Sequence, residues 1–319
     1  MKIVVLDGYT LNPGDNPWTE LATLGDLVVH DRTSLETVVE RSQGAAALVV
    51  NKVRLPREVL AALPDLRFIT VTATGFDIVD IQAAKERGIP VSNVPVYGTD
   101  SVAQHVLALL LYFCHRVDLH GEAVRQGEWT RCPDFCFWKT PLVELAGLTL
   151  GIIGFGRIGR RVGEVAHALG MRILAYDQFQ DPSLEETTFS WTDLDTLART
   201  SDVVSLHCPL TPDNRGMVNR DFLAKMRPTA ILINASRGPL VVDEDLAAAL
   251  AERRLAGAAL DVVSVEPIRA DNPLLSAPNC LITPHIAWAT LAARKRLMAT
   301  TVENMRAFLA GKPIHVVNP

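Results

Sequence analysis

The stretch that most restricts what this chain can fold into is "LTLGIIGFGRIGRRVGEVAHALGMRILAYD" at 148–177. It contains Gly154-Phe155-Gly156-Arg157-Ile158-Gly159, a G-x-G-x-x-G that means little alone, because glycines recur in turns. Its surroundings give it meaning. A β-branched run precedes the first glycine, a helix-period segment follows, and a second strand run ends in the acid Asp177, about twenty residues on. This order predicts a βαβ unit that binds a dinucleotide. Gly154 permits the tight turn, Gly156 lets backbone N–H groups approach a pyrophosphate, and Gly159 lets the helix close on the strand, with the anion at the positive end of the helix dipole. Asp177 would accept the adenosine ribose hydroxyls and repel a 2′-phosphate. Gln178 and Phe179 follow it, with no Arg to bind that phosphate, so NAD is expected rather than NADP.

The remainder alternates strand-like and helix-like segments in two blocks, the pattern of parallel sheets covered by helices. The first block has "KIVVLD" (2–7), "DLVVHD" (26–31), "AALVVN" (46–51), "RFITVTA" (67–73) and "IPVSNV" (89–94), with helical stretches at Pro56 to Leu63 and Val79 to Arg87. A buried helix is predicted from Thr99 to Arg116, too long and too helically spaced for a strand. The aromatic, Gly- and Pro-bearing stretch 126–147 lacks a period and reads as an arm or long loop. The second block continues with "DVVSLHCP" (202–209), "AILINAS" (230–236), "AGAALDVV" (256–263) and "CLITPH" (280–285), before a last helix from Thr290 to Leu309. That helix lies beyond the second block and is expected to return to the first. The expected fold class is therefore α/β with two doubly wound parallel-sheet domains: a flavodoxin-like substrate domain over 1–98 plus 289–319, a Rossmann NAD-binding domain over 99–288, and a cleft between them.

Composition narrows the function classes. With 319 residues, 48% of them hydrophobic and 21% charged, there is ample core for two globular domains. A net charge of −5 offers no basic field for nucleic acid or anionic lipid, so a small ligand is the expected partner. The five cysteines are odd in number and scattered, which fits free thiols in a reducing cytoplasm. Cys132 and Cys136 lack a second pair at ligand spacing, so no metal site is expected. The N-terminus lacks a signal-peptide layout, and "VLALLLYF" at 106–113 is too short to span a bilayer.

Hydride transfer to a carbonyl needs a proton donor, a positive group beside the developing oxyanion and an anchor for the rest of the substrate. Three residues follow strands of the second block, where such groups are expected: Arg237 in "NASRGPLVVD", Glu266 in "DVVSVEP" and His285 in "ITPH". Taken singly, each reads more readily as a loop, turn or packed residue. Together and in this order, with "GIIGFGRIG", "LHCPLT", "LINASRGPLVVDEDLAAAL", "ALDVVSVEP" and "TPHIAW", the chain resembles the D-isomer-specific 2-hydroxyacid dehydrogenase family over nearly its whole length. "LDGYTLNPGD", "VTATGFDIVD", "NVPVYGTDSVAQHVLALLL" and "PDFCFW" are similar to its glycerate dehydrogenase (hydroxypyruvate reductase) branch.

The resemblance implies an NADH-dependent interconversion of a small 2-oxo acid and its D-2-hydroxy acid, hydroxypyruvate or glyoxylate foremost. Arg237 would bind the substrate carboxylate and carbonyl with its planar fork. His285 would donate the proton, and Glu266 would orient the imidazole and favour its charged form. Backbone N–H groups of Thr74 and Gly75 would receive the carboxylate, with Thr74 also near the nicotinamide end of the cofactor. Arg157 and Ile158 fall at the pyrophosphate turn, Pro209 after a later strand, Ala235 and Arg237 near the nicotinamide ribose, and Asp261 near the carboxamide, with His285 and Ala287 closing that pocket. Lys52 is a candidate for the substrate's far hydroxyl or carboxylate. Trp138 is a candidate for a pocket residue lent by a neighbouring subunit, or equally an interface anchor without substrate contact. Gln104 stands where many relatives carry Glu. A homodimer is implied. Competing readings are an NAD(H)-sensing, co-repressor-like regulator and D-3-phosphoglycerate dehydrogenase. Formate dehydrogenase is disfavoured by Glu266 in place of Gln.

Overall fold

The computed structural model describes residues 1–184 and 188–319. The chain divides into two compact units, Met1–Gly98 with Trp288–Pro319, and Thr99–Ala287. Each is built on a wholly parallel sheet, and each forms because short β-branched runs are buried on both faces while the connecting helices cover them.

In the first unit β1 (Lys2–Val5), β2 (Asp26–Val29), β3 (Ala47–Val50), β4 (Phe68–Val71) and β5 (Val91–Ser92) lie in the order β2-β1-β3-β4-β5. This is the flavodoxin-like order. β3 and β4 are buried at every position. The final helix, Leu291–Leu309, returns to this sheet, where Phe308 stacks on Phe68 with ring centroids 4.4 Å apart. Its first turn is fixed by Arg294, whose guanidinium forms a bidentate pair with Asp15 at 2.5 and 2.7 Å. That pairing holds the Asp15 carboxyl below the usual carboxylate range. Trp288 belongs with this unit and packs edge-on against Tyr97.

β5 is shorter than the run 89–94 suggests. One edge of this segment faces β4 and the residues after it, with the N–H of Val94 donating to Ala73 O at 3.0 Å, while its other edge pairs with the end of the chain. Ser92 bridges Val316 in antiparallel fashion, the N–H of Asn93 donates to His315 O at 3.1 Å, and the N–H of Val317 donates to Val91 O at 2.8 Å. The Asn318 side chain completes the seam, accepting from Val91 N (2.8 Å) and donating to Ile89 O (2.9 Å). The tail "KPIHVVNP" carries no motif, so its pairing was not foreseeable.

The second unit has β6 (Thr149–Ile153), β7 (Arg172–Tyr176), β8 (Phe189–Trp191), β9 (Val203–Leu206), β10 (Ile231–Asn234), β11 (Gly257–Leu260) and β12 (Cys280–Ile282), in the order β12-β11-β10-β9-β6-β7-β8. Strand order reverses between β6 and β9, the switch point at which such sheets bind ligands. The strand β8, Phe-Ser-Trp, carries no β-branched residue and so gives no strand signal in the sequence. Its Phe189 and Trp191 rings close on Phe155 with centroids 4.8 and 5.5 Å away. The helix Thr99–His115 stops where Arg116 takes a left-handed φ of 41°, and a further helix, Val117–Arg125, precedes the arm. Within the arm, Trp129 Nε1 donates to Phe135 O at 3.0 Å and Lys139 pairs with Glu128 at 2.6 Å, and Leu145 near its end is buried in the core of this unit.

Candidate active site

The register of the second sheet brings five strand ends level. Ile153 of β6 stands opposite Leu206 of β9, Leu206 opposite Asn234 of β10, Asn234 opposite Leu260 of β11, and Leu260 opposite Ile282 of β12. Every candidate residue of this unit except Trp138 lies on the loops that follow these ends or the end of neighbouring β7, or, for Arg157, Ile158 and Gly159, on the first turn of the helix that follows β6.

At the first of them, Gly154 has a φ of 95°, and its N–H donates to Tyr176 O at 2.8 Å. A Cβ there would sit 2.4 Å from Cys208 N, and one on Gly159 would sit 2.2 Å from Gly154 O, so the turn closes on β9 and the helix closes on the turn. Gly156 is different. Its φ of −74° suits any residue, and an added Cβ would meet nothing within 4 Å among the described residues. The fold itself does not demand glycine there, which fits a space kept clear for a diphosphate. The helix Arg157–Ala168 begins at Gly156 without a side-chain cap, which leaves its first N–H groups to an outside acceptor. Asp177 accepts the N–H of Phe155 at 2.7 Å and of Phe179 at 3.2 Å, tying the end of β7 to the turn with lone pairs to spare for ribose hydroxyls. These residues fit a bound NAD.

The loop after β10 presents Arg237. Its guanidinium is exposed, donates to Ser236 O at 2.8 Å, and has no carboxylate partner among the described residues. Its backbone is held by Asn234, whose Nδ2 donates to Arg237 O at 2.9 Å. The next residue, Gly238, touches the loop after β11 so closely that a Cβ would lie 1.8 Å from Val263 O. No other residue fits, and the contact fixes the Arg237 loop against the segment leading to Glu266. That segment is held by Asp243, which is buried and accepts from Ser264 Oγ (2.6 Å) and Asn272 Nδ2 (2.7 Å).

Glu266 Oε2 lies 2.7 Å from His285 Nδ1. A carboxylate only accepts, so Nδ1 carries the proton in this bond and Nε2 is the nitrogen free to exchange one. The imidazole is 29% exposed, enough to reach a ligand. His285 has a φ of 54°, and its N–H donates to Asp261 O (2.8 Å) and Thr283 O (2.9 Å). The structure thus joins Glu266 to His285 and sets Arg237 on a neighbouring level loop. Asp261 itself lies beneath this loop with its side chain 1% exposed. The buried Ala287 donates its N–H to Asp261 Oδ2 at 2.9 Å. Ala235 is half-buried, and Pro209 is exposed with its carbonyl bonded to Asn214 Nδ2.

In the first unit, Asn93 Nδ2 donates to Thr74 O (2.7 Å) and Thr74 Oγ1 donates to Val94 O (3.0 Å), while the N–H groups of Thr74 and Gly75 have no acceptor among the described residues. Lys52 follows β3 with its side chain exposed. Its loop is pinned by Asp7, which accepts the N–H groups of Asn51, Lys52 and Val53 at 2.8, 2.5 and 3.1 Å. Burial pushes the Asp7 carboxyl up despite these bonds. Trp138 on the arm is 65% exposed.

Two further groups bear on how the loop after β9 behaves. Burial pushes the Cys208 thiol up to about 11, so it stays protonated and is no nucleophile at neutral pH. Burial also pushes the His207 imidazole down to about 4 from an ordinary 6.5. The folded chain therefore keeps this ring neutral where the unfolded chain protonates it. Its contribution to stability is complete above about pH 6.5 and is lost as pH falls towards 4, by at most about 3 kcal/mol. Denaturant unfolding at pH 7 and pH 5 should show this loss, and His207→Asn should flatten it. An equal drop in both proteins would mean that other groups cause it.

A parallel sheet with a glycine turn at its switch point that fits a diphosphate, and a paired acid and imidazole on loops level with that of an exposed guanidinium, fit a nicotinamide-dependent oxidoreductase. The match to known families agrees. The D-isomer specific 2-hydroxyacid dehydrogenase, NAD binding domain family matches residues 107–287. The chain is 53% identical to a hydroxypyruvate reductase of Blautia hydrogenotrophica over the full length of both, and 43% identical to a glycerate dehydrogenase of Methylorubrum extorquens over 88% of each. A D-lactate dehydrogenase from Aquifex aeolicus, solved with NAD and lactic acid, superposes with a TM-score of 0.86 at 30% identity, covering 100% of this chain and 99% of that one. The chain belongs to the D-isomer-specific 2-hydroxyacid dehydrogenase family. It is an NAD-dependent enzyme that interconverts a 2-oxo acid and a 2-hydroxy acid.

Gly238, Asp243 and the several bonds of Asp261 to the His285 loop leave little mark on the sequence. "SRGP" hints at the first. The other two are contacts between distant segments and leave no local signal. Among the described residues no helix is long and apolar enough to cross a membrane, and no group of three or more His, Cys, Asp or Glu is placed to hold a metal ion.

Proposed function

We propose that this enzyme reduces hydroxypyruvate or glyoxylate to the corresponding 2-hydroxy acid, D-glycerate or glycolate, and runs the reverse oxidation. The observation that carries the roles is the 2.7 Å pair of His285 Nδ1 with Glu266 Oε2. It leaves Nε2 to give its proton to the carbonyl oxygen in reduction and to take it back in oxidation. Bound NADH supplies the hydride. Glu266 holds the ring's orientation and balances the imidazolium charge. Arg237 takes the substrate carboxylate and the carbonyl oxygen in its fork, stabilising the negative charge that develops there. In the first unit, the N–H groups of Thr74 and Gly75 offer donors to the same kind of anion. We assign the unit 1–98 with 288–319 to substrate recognition and the unit 99–287 to NAD.

The substrate class is supported by the names of the relatives and by the small carboxylate that these donors suit. Absorbance at 340 nm tests it, with NADH or NADPH against hydroxypyruvate, glyoxylate, pyruvate and 3-phosphohydroxypyruvate. The highest kcat/KM is expected for one of the first two with NADH. Preference for the phosphorylated acid, or for NADPH despite Asp177, would overturn that part. The exposed Trp129, Phe135 and Trp138 of the arm support a homodimer, which light scattering of the intact protein decides.

A further inference from the structure

Beneath the loop that carries His285 lies a polar cluster to which the proposed proton and hydride transfers assign no step. Asp261, just past β11, spends nearly all its oxygens on that one loop. Its carbonyl accepts His285 N, Oδ1 accepts Thr283 Oγ1 (2.6 Å) and Ile286 N (2.9 Å), and Oδ2 accepts Ala287 N (2.9 Å). The helix Thr99–His115 meets the same loop with two side chains. His105 Nε2 is 3.1 Å from Thr283 Oγ1 and 3.4 Å from Asp261 Oδ1, and Ser101 Oγ donates to Ala287 O at 2.6 Å. Ser101 and His105 are four residues apart and so share a helix face.

The protons can be placed by counting donors. Thr283 has one hydroxyl proton, and it goes to Asp261 Oδ1, an acceptor-only carboxylate. Towards His105 the hydroxyl can then only accept, so His105 Nε2 carries a hydrogen and donates it. Burial pushes the Asp261 carboxyl up, but the bonds from His105, Thr283, Ala287 and Ile286 outweigh it and hold the group below its usual value, ionised as a fixed acceptor.

This arrangement has work to do. His285 sits in the left-handed region, which costs a non-glycine residue about 1–2 kcal/mol and persists only where surroundings over-determine it. Proton transfer also tolerates little misplacement of the donor. We infer that His105 is a positioning residue for His285, acting through Thr283 and Asp261 to hold the loop 283–287 and the imidazole on it. The inference rests on His285 being the proton donor.

The full-length protein is compared with His105→Leu, His105→Gln, Thr283→Val, Gln104→Ala and His285→Gln. His105→Leu removes the donor and is expected to lower kcat about 10- to 100-fold. The KM for the 2-oxo acid and the affinity for NADH should stay within about threefold, the range left to a residue that touches neither ligand. The isotope effect with NADH deuterated at the transferred position should rise, because the chemical step slows. His105→Gln places an amide N–H near the same hydroxyl and should recover most of the rate. Gln104→Ala, exposed on the same helix, should match the parent. Unchanged kcat in His105→Leu, no recovery in His105→Gln, or an equal loss of NADH binding would overturn the inference. If His105→Leu fails to fold, Thr283→Val must show the same selective loss of kcat, and parental kcat there also overturns it. An inactive His285→Gln beside a fully active His105→Leu rejects the positioning role alone. A His285→Gln that keeps its activity rejects the donor assignment and this inference with it.

Discussion

Replacing His285 by Gln should lower kcat for 2-oxo acid reduction about 10²- to 10⁴-fold, the usual contribution of a placed general acid. The amide can accept and donate hydrogen bonds, so the loop keeps much of its bonding, but it holds no transferable proton at neutral pH. The loop backbone is fixed independently, by the bonds of His285 N to Asp261 O and Thr283 O, so NADH affinity should change little. Single-turnover decay at 340 nm reports the chemical step, and NADH fluorescence reports binding. A loss under tenfold would show that the proton comes from another group. Glu266→Gln should cost less, because an amide oxygen can still accept from Nδ1 while the negative charge is gone.

Arg237→Ala should be comparably severe and differ in kind. The exposed guanidinium has no carboxylate partner among the described residues, so its removal leaves no buried charge stranded and should not destabilise the fold. Losing a donor to the developing oxyanion costs about 10²- to 10³-fold in kcat. Losing a charged bond to the carboxylate costs a further ~1.5–3 kcal/mol, which appears in KM. Arg237→Lys keeps the charge without the fork and should recover only part of either. Steady-state kinetics beside NADH titration separates the two losses. Equal damage to NADH binding and to turnover would move Arg237 from the substrate to the cofactor.

Most of the fold was legible because parallel strands buried on both faces are written as continuous β-branched runs. "ALVV" at 47–50 and "VVSL" at 203–206 are identifiable without knowing their neighbours. The candidate dinucleotide turn was legible because its glycines and Asp177 are local in sequence. Arg237, Glu266 and His285 could be picked out only as an ordered set resembling a family, since nothing local separates a reactive histidine from a packed one. What stayed hidden was long-range. His105 lies 178 residues from Thr283, and Asn318 lies 229 from Ile89. Such pairs follow from how the sheets assemble, and residue type at either end does not announce them.

The tail that pairs with β5 has a consequence for how this chain behaves in crowded solution. An edge strand offers unpaired N–H and C=O groups to any other strand that drifts past, and natural sheets are protected against it. Here the chain's own last residues occupy that edge, with the backbone of 315–317 along it and the Asn318 amide at its end. A chain clipped before Ile314 would expose a valine-bearing edge to its copies. Its first symptom should be self-association and turbidity rather than a gentle decline in rate.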